Sequence, residues 1–430
     1  MNNSAYFAAL ASVVLALQFA KAEDWRQFRG ANASGVVDDP ELPQSWGPAE
    51  NVLWKVDIDG DAWSSPVVTG GKVFLTNAAS DGTAGADSVY RWEMICLDAK
   101  TGRRLWTQVA MEGKPRLKKH RDNTYASETP VTDGKLVVAY FGMMGLFCYD
   151  LDGELVWKKN LGHYPMSHDW GTASSPTLLD GIVYLQVDNE SSSFVVALDI
   201  QTGEEIWKQP RAEKSNWGSP IIWENDQRRE LITGGSVVRS YNPENGNLLW
   251  EVDIQQGGHN ATPSANSQQL VVGRDGRGGT SFISIRSGGS DDLAKASHKE
   301  SASPVMWSTK KFGPNRASPL LVDGYVVLLG GGSGKLTIAD AATGAIVEQT
   351  RLPGAGDFWA SPWCNNGLVY CLDATGKTFV IKPGPTVEVV SINTLAEEGQ
   401  GRFWSTPAIA DGTIYIRSDK ALYAIGKVGS

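Results

Sequence analysis

The chain is poor in the residues on which most metal and nucleophile chemistry draws: 430 residues include four cysteines and five histidines. The cysteines, Cys96, Cys148, Cys364 and Cys371, contain no adjacent pair, and their spacing suggests no metal site. They read as buried thiols acting as small apolar residues, and no catalytic residue is expected among them. There is no excess of positive charge. The formal net charge of −9 argues against nucleic acid and against anionic membrane surfaces as partners. Long apolar runs are also missing, with one exception near the start. Ala5 to Ala20 are uncharged and mostly apolar, followed by Ala20-Lys21-Ala22 and then Glu23-Asp24. No Lys or Arg precedes the run, yet the small-x-small site reads as signal-peptide cleavage. The run is also short of the ~20 residues that span a bilayer. Residues 1–22 are therefore expected to be a signal peptide, residues 23–50 an N-terminal extension, and the protein periplasmic or secreted, with no transmembrane segment.

What the chain has in abundance is glycine, 47 residues, and tryptophan, 16. Glycine fits many turns. So many indoles need a large aromatic framework, since each ring hides roughly 150–250 Å². Both are organised by a repeat. A Ser/Thr-Pro pair recurs eight times, with its proline at Pro66, Pro130, Pro176, Pro220, Pro263, Pro319, Pro362 and Pro407. The mean spacing of about 49 residues suits one four-stranded propeller blade per unit. Each unit continues with a short apolar run, a Gly turn, a second run, a third strand, and an Asp-x-x-Thr-Gly turn before a strand carrying tryptophan. The third unit shows this best, with Asp199, Thr202-Gly203 and Trp207; the first has Asp98, Thr101-Gly102 and Trp106. Asp bonds the backbone of its own turn and Gly accepts positive φ, so together they close a tight hairpin. Proline lacks an N–H and belongs on an edge strand, which the innermost strand of a blade is.

The ends predict how the ring closes. The last unit supplies three strands, and the segment Asn51 to Asp57, with Trp54, resembles the missing fourth. Their pairing would remove an open edge. The expected fold is all-β: an eight-bladed β-propeller of four-stranded antiparallel blades over residues 51–427, closed by an N-terminal strand. Trp54, Trp106, Trp157, Trp207, Trp250 and Trp307 are expected to be structural, packing across to the neighbouring blade. Two blades depart from the pattern. Blade five carries a Ser-, Gly-, Lys- and Asp-rich stretch from Arg286 to Ser303, expected to be a surface loop. Blade seven has its Asp373 to Gly376 turn one hairpin early and no tryptophan on its last strand.

The pattern from Ala197 to Trp207 resembles the tryptophan-docking motif of quinoprotein propellers, and the chain is similar to the PQQ-like repeat family and its BamB-type members. Asp24-Trp25-Arg26-Gln27-Phe28-Arg29-Gly30, and the stretch from Leu42-Pro43 to Trp54-Lys55, resemble exported bacterial members. The resemblance implies one of two roles. One branch holds pyrroloquinoline quinone (PQQ) and Ca²⁺ on the axis and oxidises alcohols or sugars, with an adjacent Cys-Cys disulfide against the cofactor. The other branch comprises scaffolds that help assemble outer-membrane proteins. This chain has no adjacent cysteine pair and no lipid-attachment cysteine. The expectation is a non-catalytic, monomeric scaffold without cofactor or metal that binds a protein or glycan ligand; a PQQ-dependent dehydrogenase is the alternative.

A binding mouth can be drawn from the repeat. The residues three before each proline are Trp63, Ser127, Ala173, Trp217, Asn260, Arg316, Trp359 and Trp404. Trp63, Trp217, Asn260, Arg316, Trp359 and Trp404 are the ligand-binding candidates. Neighbours add His259, Phe358, Arg402 and Phe403, with His168, Asp169 and Trp170 slightly further upstream. Aromatics with a few polar groups around a concavity make a ligand pocket; alternatively the tryptophans fill the axis of a wide ring. Other features read as bland. The basic run from Lys114 to Arg121 is expected to be a solvated loop. Asp57, Asp59 and Asp61 lack the distal Glu of a Ca²⁺-binding loop. His163, His168 and Asp169 come without a nucleophile elbow.

Overall fold

A computed structural model describes residues 24–82, 85–255, 258, 260–275, 281–289, 291–292, 304–332, 334–395 and 401–428. The segment expected to be a signal peptide and His259 lie outside these residues. No helix among the described residues is long and apolar enough to cross a membrane. Among the described residues helix is confined to three single 3-10 turns, Ala31–Ala33, Gly142–Met144 and Ser167–Asp169.

Eight sheets form the propeller, each with a four-stranded antiparallel core, and two of them gain a fifth, parallel strand. Every Ser/Thr-Pro pair leads directly into the first strand of a blade: Val67–Thr69, Val131–Thr132, Thr177–Leu179, Ile221–Glu224, Ser264–Ala265, Leu320–Val322, Trp363–Asn365 and Ala408–Ala410. These strands touch one another around the ring, which makes them the inner edges. The ring closes as the ends predict. Val52–Asp57 pairs antiparallel with Ala421–Ile425, and Trp54 stands opposite Ala424.

The turn chemistry locks the blades together. In blade one the Asp98 carboxylate accepts from the Thr101 N–H (2.8 Å) and hydroxyl (2.7 Å), and Gly102 N–H bonds back to the Asp98 carbonyl. These bonds hold the Asp98 carboxyl below its ordinary range. Gly102 has φ 71°, and a side chain there would meet the Trp54 ring at 2.7 Å. Glycine is therefore required twice, for its left-handed backbone and for the indole lying on it. The Trp54 N–H then donates to Ala99 O at 3.0 Å. The same contact joins Trp106 to Leu151 O, Trp157 to Ile200 O, Trp207 to Pro243 O and Trp307 to Ala341 O, each across to the following blade. Each buried or half-buried indole thus finds its donor a partner while its ring is packed.

Trp250 differs in its hydrogen bond. It sits in the core shared by blades four and five, but its N–H donates to Glu230 Oε2 at 2.6 Å within its own blade. The physical reason lies in the next blade, whose third and fourth strands, Phe282–Arg286 and Val305–Thr309, are not joined by an Asp-x-x-Thr-Gly turn. Part of that connection also corrects the loop expectation: Asp291–Asp292 adds a fifth, parallel strand beside Trp250 and Glu251 of blade four. Blade seven follows the sequence, with Asp373 closing the turn between its second and third strands. All four cysteines are buried and free.

The N-terminal extension is part of the ring rather than an appendage. Trp25 exchanges both backbone hydrogen bonds with Val68 of blade one, and the Arg26 carbonyl accepts from Thr132 N–H of blade two. The Gln27 side-chain oxygen accepts from the Thr177 hydroxyl (3.0 Å) and Leu178 N–H (2.8 Å) of blade three. Arg29 donates to Pro319 O of blade six at 2.8 Å. Val36–Val37 pairs parallel with Cys364–Asn365 of blade seven, and the Asp39 carboxylate accepts from Gly412 N–H of blade eight at 2.9 Å. The extension is a strap that satisfies the exposed edge groups of the inner strands.

Candidate functional site

The hydroxyl preceding each repeat proline has a role that no pattern of hydrophobicity reveals. The Ser65 N–H donates to the Thr129 hydroxyl at 2.9 Å, Thr129 N–H to Ser175, Ser175 N–H to Ser219, and Ser219 N–H to Thr262. The series continues from Thr262 to Ser318, Ser361 and Thr406. Seven links thus join the eight blades in a series of hydrogen bonds around the axis, from Ser65 to Thr406, at 2.9–3.1 Å. An inner-edge N–H would otherwise be buried without a partner, which costs about 1–3 kcal/mol. This explains why Ser or Thr, and not merely a small residue, stands there.

The hydroxyl ring surrounds an axial cavity of about 790 Å³. All eight residues three positions before the prolines line it, including Trp63, Trp217, Asn260, Arg316, Trp359 and Trp404. The tryptophans therefore do not fill the axis. Phe28 also reaches this cavity, carried there by the strap between Gln27 and Arg29, both of which are held on inner strands.

The mouth is asymmetric. On one side Trp359 and Trp404 stack face to face, with ring centres 3.8 Å apart and planes 2° apart, and Trp63 leans on Trp404 at 4.7 Å. The Arg316 guanidinium lies 3.9 Å over Trp359, and Arg402 lies 4.9 Å over Trp63 and 5.2 Å over Trp404. A cation over an indole face is attracted by the ring quadrupole, so the stack is capped at both ends. On the other side Trp170 contacts Trp217 at 5.4 Å, His168 at 5.4 Å and His120 at 5.8 Å. Trp170 is 41% exposed. His168 and Asp169 sit at φ 55° and 56°, a left-handed conformation that is costly for residues other than glycine.

Some sequence candidates fall elsewhere. Phe358 and Phe403 are fully buried in the blades. Asp169 points outward toward Lys118 at 3.9 Å. His163 lines a different, much smaller cavity than His168 does. Sequence reasoning missed Phe28, His120, Lys214 and Arg274, which also line the axial cavity. Only the basic run containing His120 carried a signal that could have found any of them.

Two buried polar clusters stand behind this wall. Asp188 accepts from Arg211 at 2.8 and 3.1 Å, from Asn216 at 2.9 Å and from Gln186 at 2.7 Å. Burial alone would lower the Arg211 pKa, but the Asp188 carboxylate outweighs it and raises it above the ordinary arginine value. Asn216 directly precedes Trp217, so this cluster positions a mouth residue. Glu128, beside the ring residue Thr129, is fully buried, and its Oε1 has no hydrogen-bond partner. Burial pushes its carboxyl from 4.5 up to about 7, opposed by a hydrogen bond with Thr172. A folded-state pKa raised above the unfolded one stabilises the native state fully below pH 4.5, and this contribution is lost as pH rises through about 7. Glu128→Gln is expected to be more stable than the parent at pH 8, by at most about 3 kcal/mol. It should show no such advantage at pH 4; urea denaturation at both pH values measures the difference.

A PQQ and Ca²⁺ site can be tested against these residues. The stacked indoles offer a flat surface, but all four cysteines are buried and none lines the cavity. Among the described residues no group of three His, Cys, Asp or Glu side chains is placed to hold a metal ion. The donor set does not fit the metal–quinone pair.

Comparison with known proteins agrees with the blades. The family described as outer membrane protein assembly factor BamB matches residues 49–121, 91–275 and 234–382. Among curated relatives, tetrathionate hydrolase of Acidithiobacillus ferrooxidans is 22% identical over 329 residues, 60% of this chain and 64% of that protein. BamB of Burkholderia pseudomallei is 25% identical over 251 residues, 55% of this chain and 57% of that protein. The chain thus spans less than two thirds of these relatives. Among solved structures, BamB from Moraxella catarrhalis has a TM-score of 0.56 at 14% identity, covering 88% of this chain and 97% of that one. Quinohemoprotein alcohol dehydrogenase from Pseudomonas putida has a TM-score of 0.55 at 12% identity, covering 95% and 80%. With its eight blades and docking tryptophans, the chain belongs to the BamB family of PQQ-like repeat propellers.

Proposed function

We propose that the protein is an exported, non-catalytic, monomeric scaffold whose tryptophan-lined mouth receives a segment of another macromolecule. The carrying observation is the Arg316–Trp359–Trp404–Trp63–Arg402 stack at the opening of an axial cavity of about 790 Å³. Tryptophan and arginine dominate binding hot spots because they bury area while keeping a polar handle. The family relatives named for outer-membrane protein assembly support a scaffold role. Quinoprotein and hydrolase relatives would make the chain an enzyme. The poor fit to a metal–quinone pair weighs against the first of these.

The test uses immobilised protein offered an unfolded outer-membrane β-barrel protein, neutral and acidic oligosaccharides, and PQQ with Ca²⁺. At least one macromolecular ligand is expected to be retained. The double variant Trp359→Ala/Trp404→Ala should weaken that ligand by about 30-fold or more, the loss of a hot spot, while its circular dichroism is unchanged. Retention of every binding signal by the double variant would sink the proposal. So would dye-linked alcohol oxidation after loading with PQQ and Ca²⁺.

A further inference from the structure

The charges lining the axial cavity do not balance. Three carboxylates reach it, and each already faces a charged base: Glu190 meets Lys214 at 3.6 Å, Asp275 meets Arg274 at 3.9 Å, and Asp122 meets Arg121 at 3.7 Å. Arg316 is the surplus cation. It is half-buried, caps Trp359, and has no ion pair or hydrogen bond among the described residues. A guanidinium held flat on an indole keeps its N–H fork free and oriented, and that fork matches a carboxylate or sulfate bidentately.

The approach to the cavity has the same sign. The connection that brings His120 to the rim carries Lys114, Arg116, Lys118 and Arg121, all exposed, on a chain whose net charge is −9. Beside it stands the exposed ring of Trp170, 5.8 Å from His120. Such a concentrated basic edge steers anionic ligands toward the opening.

The wall chemistry narrows the class of anion. A peptide held by its main chain needs a free strand edge. Here one inner-edge N–H in each of seven blades is taken by a neighbouring hydroxyl, and the opposite end is covered by the strap. The cavity instead offers side-chain hydroxyls and the amides of Asn260 and Asn315. Small donors and acceptors spread over a wall beside exposed indole suit a ring-shaped ligand with many hydroxyls and apolar faces.

We infer that the mouth binds an acidic oligosaccharide, with Arg316 holding the carboxylate or sulfate of one sugar and the indoles packing against the rings. This rests on the scaffold reading above and names its ligand. Calorimetric titration tests it with oligogalacturonate, its fully methyl-esterified form, a sulfated galactan oligomer and oligo-glutamate of equal length. At least one acidic sugar should bind, and the two acidic arms separate carboxylate from sulfate. Esterification should weaken the uronate about tenfold or more, if that is the arm bound. Arg316→Gln should cause a similar loss for the bound arm and bring the acidic-to-neutral preference close to one. Arg316→Lys, which keeps charge but loses the fork, should fall between, and thermal melts confirm that both variants fold. The inference is overturned if oligo-glutamate binds as tightly as the acidic sugars, if the ester binds as well as the acid, or if Arg316→Gln leaves the preference intact. Binding of a protein ligand alone, lost in Trp359→Ala/Trp404→Ala, overturns the sugar and leaves the scaffold. No Trp-dependent binding of any kind overturns both.

Discussion

Removal of residues 1–57 is expected to abolish the folded monomer. The truncation takes away two features at once. The first is the closing strand, Val52–Asp57, without which Ala421–Ile425 becomes an open, apolar edge. Unpaired edges of this kind recruit other chains. The second is the strap, whose partners lie on the inner strands of blades one, two, three, six, seven and eight. Losing it also removes Trp25 and Trp46, 2% and 3% exposed in the intact chain, and so uncovers the core surface they pack against, each ring covering roughly 150–250 Å². Size-exclusion chromatography with light scattering should find aggregates or oligomers, and urea unfolding should lose its cooperative transition. A monomeric truncation with unchanged unfolding would show that the ring does not depend on either feature.

Asp188→Ala is expected to be the most damaging single substitution near the site. Asp188 and Arg211 are both fully buried, and removing the carboxylate leaves a guanidinium in a low-dielectric interior. Breaking a buried pair from one side costs about 3–5 kcal/mol. The cost falls on stability first, read as a lower urea midpoint. Binding should suffer as well, because Asn216 loses its Asp188 contact and with it part of the hold on Trp217. Replacing both partners by apolar residues, Asp188→Leu/Arg211→Met, should be milder than Asp188→Ala alone, since no charge is stranded. If the double variant is the worse of the two, the loss comes from the shape of the cluster and not from its charge.

Much of this protein is legible in one dimension. The eight Ser/Thr-Pro pairs, the Asp-x-x-Thr-Gly turns and the single strand before the first unit define blade number, strand order and closure. Each is a local device whose chemistry acts within a few residues: a proline without an N–H, an aspartate bonding its own turn, a glycine with φ near 71° under an indole. The repeat also pointed to the mouth, because equivalent positions in a closed ring must lie at one radius and one height. Trp250 shows where this reach ends: its ring packs against the next blade, but its N–H bonds within its own. Its own strand obeys the pattern, but its partner depends on a turn that the next blade lacks.

The contents of the cavity were decided in three dimensions. Which tryptophans stack, Trp359 on Trp404 but Trp217 on Trp170, follows from side-chain packing between blades, and no spacing encodes it. Arg316 is unpaired because Lys214, Arg274 and Arg121, and not Arg316, stand against the three acids of the wall. Phe28 enters the axis only because the strap is pinned on both sides of it. By itself, then, the sequence determined the ring and its symmetry, since these follow from bonds between near neighbours repeated eight times. The tertiary structure alone decided the polarity of the mouth, because charge balance in a cavity is a sum over residues far apart in the chain.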